Sequence, residues 1–362
     1  MRTVGLNAGS CVSKKLSFSG EYRHDGLKDR AVILNPLAGS IFSFTSVWFK
    51  TNRFIIAILT CLLCLVLGCE KTQKEVPKAV AVSLDGSIEV ALMTFNLRYE
   101  NKQEIGKRAW RNRVVGIVGM LQREKVEILG IQEGLHGQVA DLWASLPNFG
   151  FEGVGRDDGK KRGEYTGIFY RKDRFEADPK NRGSIWLSDT PSKVGSKSWG
   201  NSFPRMATWV RLLDRSSGQA LWVVNIHLDH MHQPSREKGV KLFAQKLTEM
   251  NPDFEPVVWM GDFNAGEWNP AVRYIADGIP TNGSTKAFPS LMETYYQLHP
   301  KDKARGTLHF WMSDPNRQWK VDHIFVSKEA KVLEAKIVKS GEPYLSDHFP
   351  VKARVVFRKS EG

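Results

Sequence analysis

From Ile88 onward two hydrophobic patterns alternate along the chain. Apolar runs of strand length occupy Ile88–Phe95 and Val126–Ile131, and between them Trp110, Val114, Ile117, Val118 and Leu121 recur at helical spacing. Further runs predict strands over Thr166–Tyr170, Met206–Leu213, Leu221–Ile226, Val257–Met260, Val321–Val326 and Val351–Phe357. Ser235 is expected to cap a helix whose Val240, Phe243, Leu247 and Met250 share one face. Strands outnumber helices, which predicts two stacked sheets flanked by helices rather than one doubly wound sheet. The sequence carries no internal repeat, low-complexity tract or Gly-rich phosphate loop.

The front of the chain has a different character. Lys50 and Arg53 precede an apolar run from Phe54 to Leu67, followed by Gly68 and Cys69. A positive flank, a short apolar segment and a small-residue site describe an export signal, and the run falls short of the roughly 20 residues a spanning helix needs. Val66-Leu67-Gly68-Cys69 resembles a bacterial lipobox, so residues 54–69 are read as a lipoprotein signal, with an uncleaved N-terminal anchor as the rival. Residues 1–53 are read as an unstructured extension, and an alternative start near Val47 would leave most of it untranslated. Residues 70–86 form a polar tether, and residues 87–359 a single α/β domain. The expected location is outside the cytoplasm, periplasmic or held at the outer or cell membrane by an N-terminal lipid or anchor.

Composition narrows the chemistry. The 362 residues carry a net charge of +13, a surplus that favours anionic partners without choosing among nucleic acid, phosphorylated ligands and lipid headgroups. Cys11, Cys61, Cys64 and Cys69 all precede the α/β region, which therefore has no disulfide or thiolate metal site and must bind any metal through oxygen or nitrogen.

Five predicted strands run straight into acidic, amide or imidazole groups. The segments are Thr94-Phe95-Asn96-Leu97-Arg98, Ile131-Gln132-Glu133, Asn225-Ile226-His227-Leu228-Asp229-His230, Gly261-Asp262-Phe263-Asn264-Ala265 and Ser346-Asp347-His348-Phe349-Pro350. Each alone is compatible with a turn or a solvated loop; five together predict one functional rim. The ordered set TFNLR, IQE, VNIHLDH, GDFNA, KVDHIFVS and SDHFPV resembles the endonuclease/exonuclease/phosphatase superfamily, from about Ile88 to Phe357. Gly163 to Arg171 and Ser198 to Arg205 are most similar to its secreted bacterial branch. The resemblance implies a DNase I-like, four-layer α/β sandwich with two mixed β-sheets.

It also implies roles. Glu133, assisted by Asn96 and with Asp347 nearby, would hold Mg²⁺ or Mn²⁺, hard cations suited to oxygen donors. Asp262 would orient or deprotonate the attacking water, and Asn264 would donate to the phosphate. His348 would contact the scissile group with Asp322 fixing its tautomer. His227 would be a second imidazole on the phosphate, oriented by Glu164, and His323 would lie behind the reacting groups. Asp229, His230 and His232 lack the spacing of a helical zinc motif and read as a loop lining the cleft.

For the substrate, Lys160-Lys161-Arg162 with Arg156, Arg171 and Arg174 would suit a phosphate backbone or an ordinary solvated loop edge, and Trp199, Trp311 and Trp319 would suit stacking on a base or sugar or capping of the core. His309 is expected to contact substrate. The leading expectation is an exported, metal-dependent phosphoesterase, with a nuclease favoured. The alternatives are a sugar-phosphate, inositol-phosphate or lipid-headgroup phosphatase, and a non-catalytic, lipid-anchored binding module on the same fold.

Overall fold

The computed structural model describes residues 86–278, 288–314 and 318–358. The signal, lipobox and tether expectations, apart from residue 86, lie outside the described residues.

The first half runs β1 (Ile88–Asn96), α1 (Trp110–Arg123), β2 (Ile128–Gly134), α2 (His136–Ser145), β3 (Phe149–Glu152), β4 (Tyr165–Arg171) and β5 (Phe175–Trp186). It continues through β6 (Met206–Asp214), β7 (Ala220–His227), α3 (Gln233–Met250), β8 (Val257–Asp262) and α4 (Pro270–Asp277). The last part comprises β9 (Leu291–Glu293), α5 (Thr294–Leu298), β10 (Asp322–Ser327), β11 (Lys331–Ile337) and β12 (Val351–Phe357). Two six-stranded sheets result, ordered β11-β12-β1-β2-β4-β3 and β5-β6-β7-β8-β10-β9. Both mix parallel and antiparallel pairs, β1 with β2 and β7 with β8 being parallel. Among the described residues, no helix is long and apolar enough to cross a membrane.

Side-chain alternation explains why the strands read as unbroken apolar runs. Val90 and Leu92 of β1 enter a core shared with Val223 of β7 and Met260 of β8, whereas Met93 and Phe95 pack under α1 and α2. On the other sheet, Val224, Ile226 and Trp259 face α3 and α4. Every central strand is therefore buried on both faces, in four layers of helix, sheet, sheet and helix.

The same alternation positions the polar groups. Residues sharing the inner face with Leu92, Val223, Met260 and Ile324 include Asn96, Asn225, His227, Asp262 and Asp322. The apolar seam between the sheets thus turns polar at one end. There Asn225 donates to the carbonyls of Ile131 and Gly167 at 2.8 Å, and its Oδ1 accepts from Gln132 at 2.7 Å. These bonds satisfy buried amides and tie the two sheets together beneath the rim.

Several expectations need correction. α3 begins at Gln233 with His232 as its cap residue, so Ser235 is a buried residue of the first turn rather than the cap. The helices α2, α4 and α5 and the strands β3, β5, β9 and β11 were not anticipated. β5 is largely polar, β11 interrupts its apolar residues with Lys and Glu, and both are partly exposed, which removes the apolar run that marks a central strand.

Candidate active site

A cleft of about 1180 Å³ opens at the polar end of the sandwich. Glu133, Glu164, His227, Asp262, Asp347 and His348 all line it, as does Asn264, although they are spread across more than two hundred positions. Asn96 and Asp322 lie immediately beneath, in contact with these groups.

Strand register produces most of this convergence. Asp262 pairs across the ladder with both His227 and Asp322. Gly261 makes the approach possible: at φ 146° it has no side chain, and a Cβ there would meet the Ile226 carbonyl oxygen at 2.0 Å. Four cleft-lining residues with side chains adopt left-handed backbone, namely Arg98 (φ 56°), Glu133 (φ 62°), Asn264 (φ 47°) and Phe310 (φ 51°). At Glu133 this coincides with a register irregularity between β2 and β4, and the side chain that simple alternation would send under the helices lines the cleft instead. Strained backbone of this kind gathers at functional sites.

The His348 side is built from acids. Nδ1 of His348 lies 2.9 Å from Oδ2 of Asp322, and its Nε2 takes no protein partner among the described residues. Burial alone would push the imidazole down, but the charges of Asp322 and Asp262 overcome it and raise it to about 10. The ring is therefore an imidazolium at neutral pH, with both nitrogens protonated. Asp262 is pushed up to about 7 by burial and by the Asp322 charge. It accepts from the Asn264 amide at 2.8 Å and from Nδ2 of Asn96 at 3.0 Å.

The His227 side is built from a cation. Arg205 donates to Nε2 of His227 at 2.8 Å, so the proton of a neutral ring sits on Nδ1, facing Glu164 Oε2 at 4.0 Å. Burial, then Arg205 and Arg156, hold His227 well below its ordinary value. This revises the expected pairing of the ring: Nε2 of His227 accepts from an arginine, and Glu164 is too distant to hydrogen-bond the ring and orient it. Glu164 instead pairs with Arg156 at 2.5 Å, and burial with the charge of Glu133 raises it to about 7.

Glu133 and Asp347 supply hard oxygen donors on the cleft wall, and burial together with the Glu133 charge raises Asp347. The donor chemistry fits a divalent cation. Asn96 sits beside them as expected: Nδ2 donates to Glu133 and Asp262, both at 3.0 Å, while Oδ1 accepts from the Arg98 amide. It braces the two carboxylates. Asp262, Asp322 and His348 also present ligand atoms within 4.8 Å of one another, a spacing a cation could span.

His309 is corrected outright. It is fully buried, stacked on Phe349 at 4.1 Å and beside Tyr344, and burial lowers it to about 4. The cause is register: Leu308 bridges to Trp319 and His348, so Gly306, Leu308 and Phe310 line the cleft while Thr307 and His309 point inward. His323 lies behind Asp322, bonded to Lys320 and to the Ala265 carbonyl, both at 2.9 Å. Of the three tryptophans only Trp319 lines the cleft; Trp199 bonds Asp189, and Trp311 packs against Arg108 and Arg113. Arg205 and Arg98, both lining the cleft, were not singled out from sequence, since an arginine outside any element shows its role only through distant partners.

Residues 93–348 match the model of the Endonuclease/Exonuclease/phosphatase family. The structure resembles an endonuclease/exonuclease/phosphatase from Bacteroides vulgatus at 30% identity and TM-score 0.67, covering 75% of this chain and 100% of that one. It also resembles a mannosyl-6-phosphatase from Bacteroides thetaiotaomicron at 30% identity and TM-score 0.64, covering 74% and 100%. An uncharacterized protein of Acanthamoeba polyphaga mimivirus is 26% identical over 209 residues, 56% of this chain and 72% of that protein. The chain belongs to the Endonuclease/Exonuclease/phosphatase family, whose members hydrolyse phosphate esters.

Proposed function

We propose that the protein is a divalent-metal-dependent phosphomonoesterase acting on small phosphorylated polyols, hexose phosphates foremost. The observation that carries this reading over a nuclease is the placement of the basic residues. Arg171 ends β4 at the pole opposite Glu164, where it pairs with Asp173, and Arg174 is held there by Glu127 and Asp214. Lys160, Lys161 and Arg162 do not line the cleft. Of the arginines that do line it, Arg98 pairs with Glu104, Arg156 with Glu164 and Arg305 with Glu267, which leaves few cations free for the successive phosphates of a nucleic-acid backbone. The sugar phosphatase from Bacteroides thetaiotaomicron supports the same substrate class.

Hydrolysis needs an activated water and positive charge on the phosphoryl oxygens. Asp262, ionising near pH 7, accepts a proton from the attacking water, with Asn96 and Asn264 fixing its two oxygens. His348 directs Nε2–H at a phosphoryl or leaving oxygen, and its charge is preserved by Asp322. Glu133 and Asp347 would hold Mg²⁺ or Mn²⁺, which neutralises charge on the phosphoryl oxygens.

Purified protein incubated with mannose 6-phosphate, glucose 6-phosphate, inositol phosphates, DNA and RNA, with and without Mg²⁺ or Mn²⁺, tests the proposal. Metal-dependent phosphate release from a hexose phosphate is expected. Cleavage of DNA or RNA without such release would make it a nuclease, and no turnover anywhere would favour a binding module. Export as a lipoprotein is part of the same proposal and rests on Val66-Leu67-Gly68-Cys69. Fatty-acid labelling that persists in Cys69→Ser would refute it.

A further inference from the structure

We propose that Arg205 is the group that grips the phosphoryl oxygens on the side of the cleft facing His348, and that His227 and His230 serve to present it. The inference rests on the phosphoesterase reading and refines it. Arg205 lies just before β6, is 5% exposed, and lines the cleft. Its Nη1 donates to Nε2 of His227 and its Nη2 to Nδ1 of His230, each at 2.8 Å. Each terminal nitrogen carries a second hydrogen for which no protein acceptor is found among the described residues. The buried Nε–H is also unpartnered, its closest carboxylate oxygen, Asp229 Oδ2, standing 3.6 Å away. Three of the five N–H donors of a guanidinium are thus unspent in a nearly water-free position, an arrangement native proteins seldom leave without a ligand.

The choice of partners is the informative feature. A carboxylate at either terminal nitrogen would hold the guanidinium equally well but would cancel its charge. Neutral imidazole nitrogens hold it by accepting hydrogen bonds while leaving the charge for an incoming anion. Of the nearby acids, Glu164 pairs with Arg156, and Asp229 accepts through Oδ1 from the amides of Met231 and His232 while its Oδ2 stands in ion-pair range of Nε, so that neither terminal nitrogen meets a carboxylate. The planar fork that remains matches two oxygens of a phosphoryl group. His227 is then a positioning residue, and its proton stays on Nδ1 because Arg205 occupies Nε2.

The test uses inorganic phosphate as probe, with calorimetric titration of the purified protein, and ¹⁵N spectra of the imidazole nitrogens at one fixed pH. Arg205→Ala should weaken phosphate binding roughly tenfold or more, and Arg205→Lys, which keeps the charge but loses the fork, by several-fold. Both should raise KM more than they lower kcat, and in Arg205→Ala His227 should lose its single Nδ1-protonated form. If the alanine variant fails to fold, the lysine variant carries the test. Phosphate affinity within about twofold of wild type in a folded variant, with the His227 tautomer unchanged, would overturn the proposal. Binding of phosphate that depends on Arg205, in a protein that hydrolyses no sugar phosphate, would uphold this inference and remove the substrate reading above.

Discussion

Two buried histidines face each other across the cleft in opposite states. His348, held by Asp322, is charged and offers a donor; His227, held by Arg205, is neutral and accepts. Both stand on or beside strand ends in similar sequence settings, so residue type and local structure do not determine their chemistry. The partner does. A carboxylate makes one ring a cation that faces developing negative charge, and a guanidinium makes the other a support for a second cation.

Breaking the acidic half should have the largest effect. Asp322→Asn removes the charge that keeps His348 protonated with little change of shape, and kcat toward a hexose phosphate should fall by about 10⁴-fold, as when an orienting aspartate is lost beside a catalytic histidine. A fall of less than tenfold would show that the imidazolium contributes little. Asp262→Asn should cost about 10²–10⁴-fold, the range of general base catalysis, and should remove the rate limb near pH 7. The cationic half should be more forgiving: His227→Gln retains an acceptor for Arg205, and a loss of roughly tenfold to a hundredfold, mostly in KM, is expected from weakening a charged hydrogen bond. Glu133→Gln should raise the divalent-ion concentration needed for half-maximal rate while sparing phosphate contacts on the Arg205 side.

The smallest effect is thermodynamic and has opposite signs on the two sides. His348 is raised on folding to about 10, so its stabilising contribution is complete below its ordinary value near 6.5 and fades as pH rises toward 10. His227 is lowered on folding, so it costs nothing above its ordinary value and destabilises the fold as pH falls below it. Melting curves from pH 5 to 9 should show Asp322→Asn losing most relative to wild type at the acid end, and His227→Gln losing least there. Parallel shifts at all pH values would mean that the two rings do not differ in charge.

How much of this was legible from sequence follows from where the information lies. Asn96, His227 and Asp262 were readable because each closes a strongly apolar strand, and alternation on strands buried on both faces delivers such positions to the inter-sheet seam, whereas Glu133 reaches the cleft through the irregularity of β2 and His348 from the loop before β12. The layered architecture was readable for the same reason. His309 failed by one position, because the 306–310 segment pairs irregularly and nothing local marks which parity faces the cleft. Arg205 acquires its meaning only from partners twenty-two and twenty-five positions away. The pairing of Glu164 with Arg156 rather than His227 is equally a matter of tertiary geometry. The polar strand β5 and the interrupted strand β11 carry no long apolar run to announce them.

The most direct measurement is a crystal structure of the protein grown with Mg²⁺ and orthovanadate, a tetrahedral to trigonal mimic of the transferring phosphoryl group. The account predicts vanadate in the cleft with oxygens in hydrogen-bond contact with both Nε2 of His348 and the guanidinium of Arg205, and the cation on Glu133. Vanadate bound away from either residue, with His227 Nε2 contacting it in place of Arg205, would contradict it.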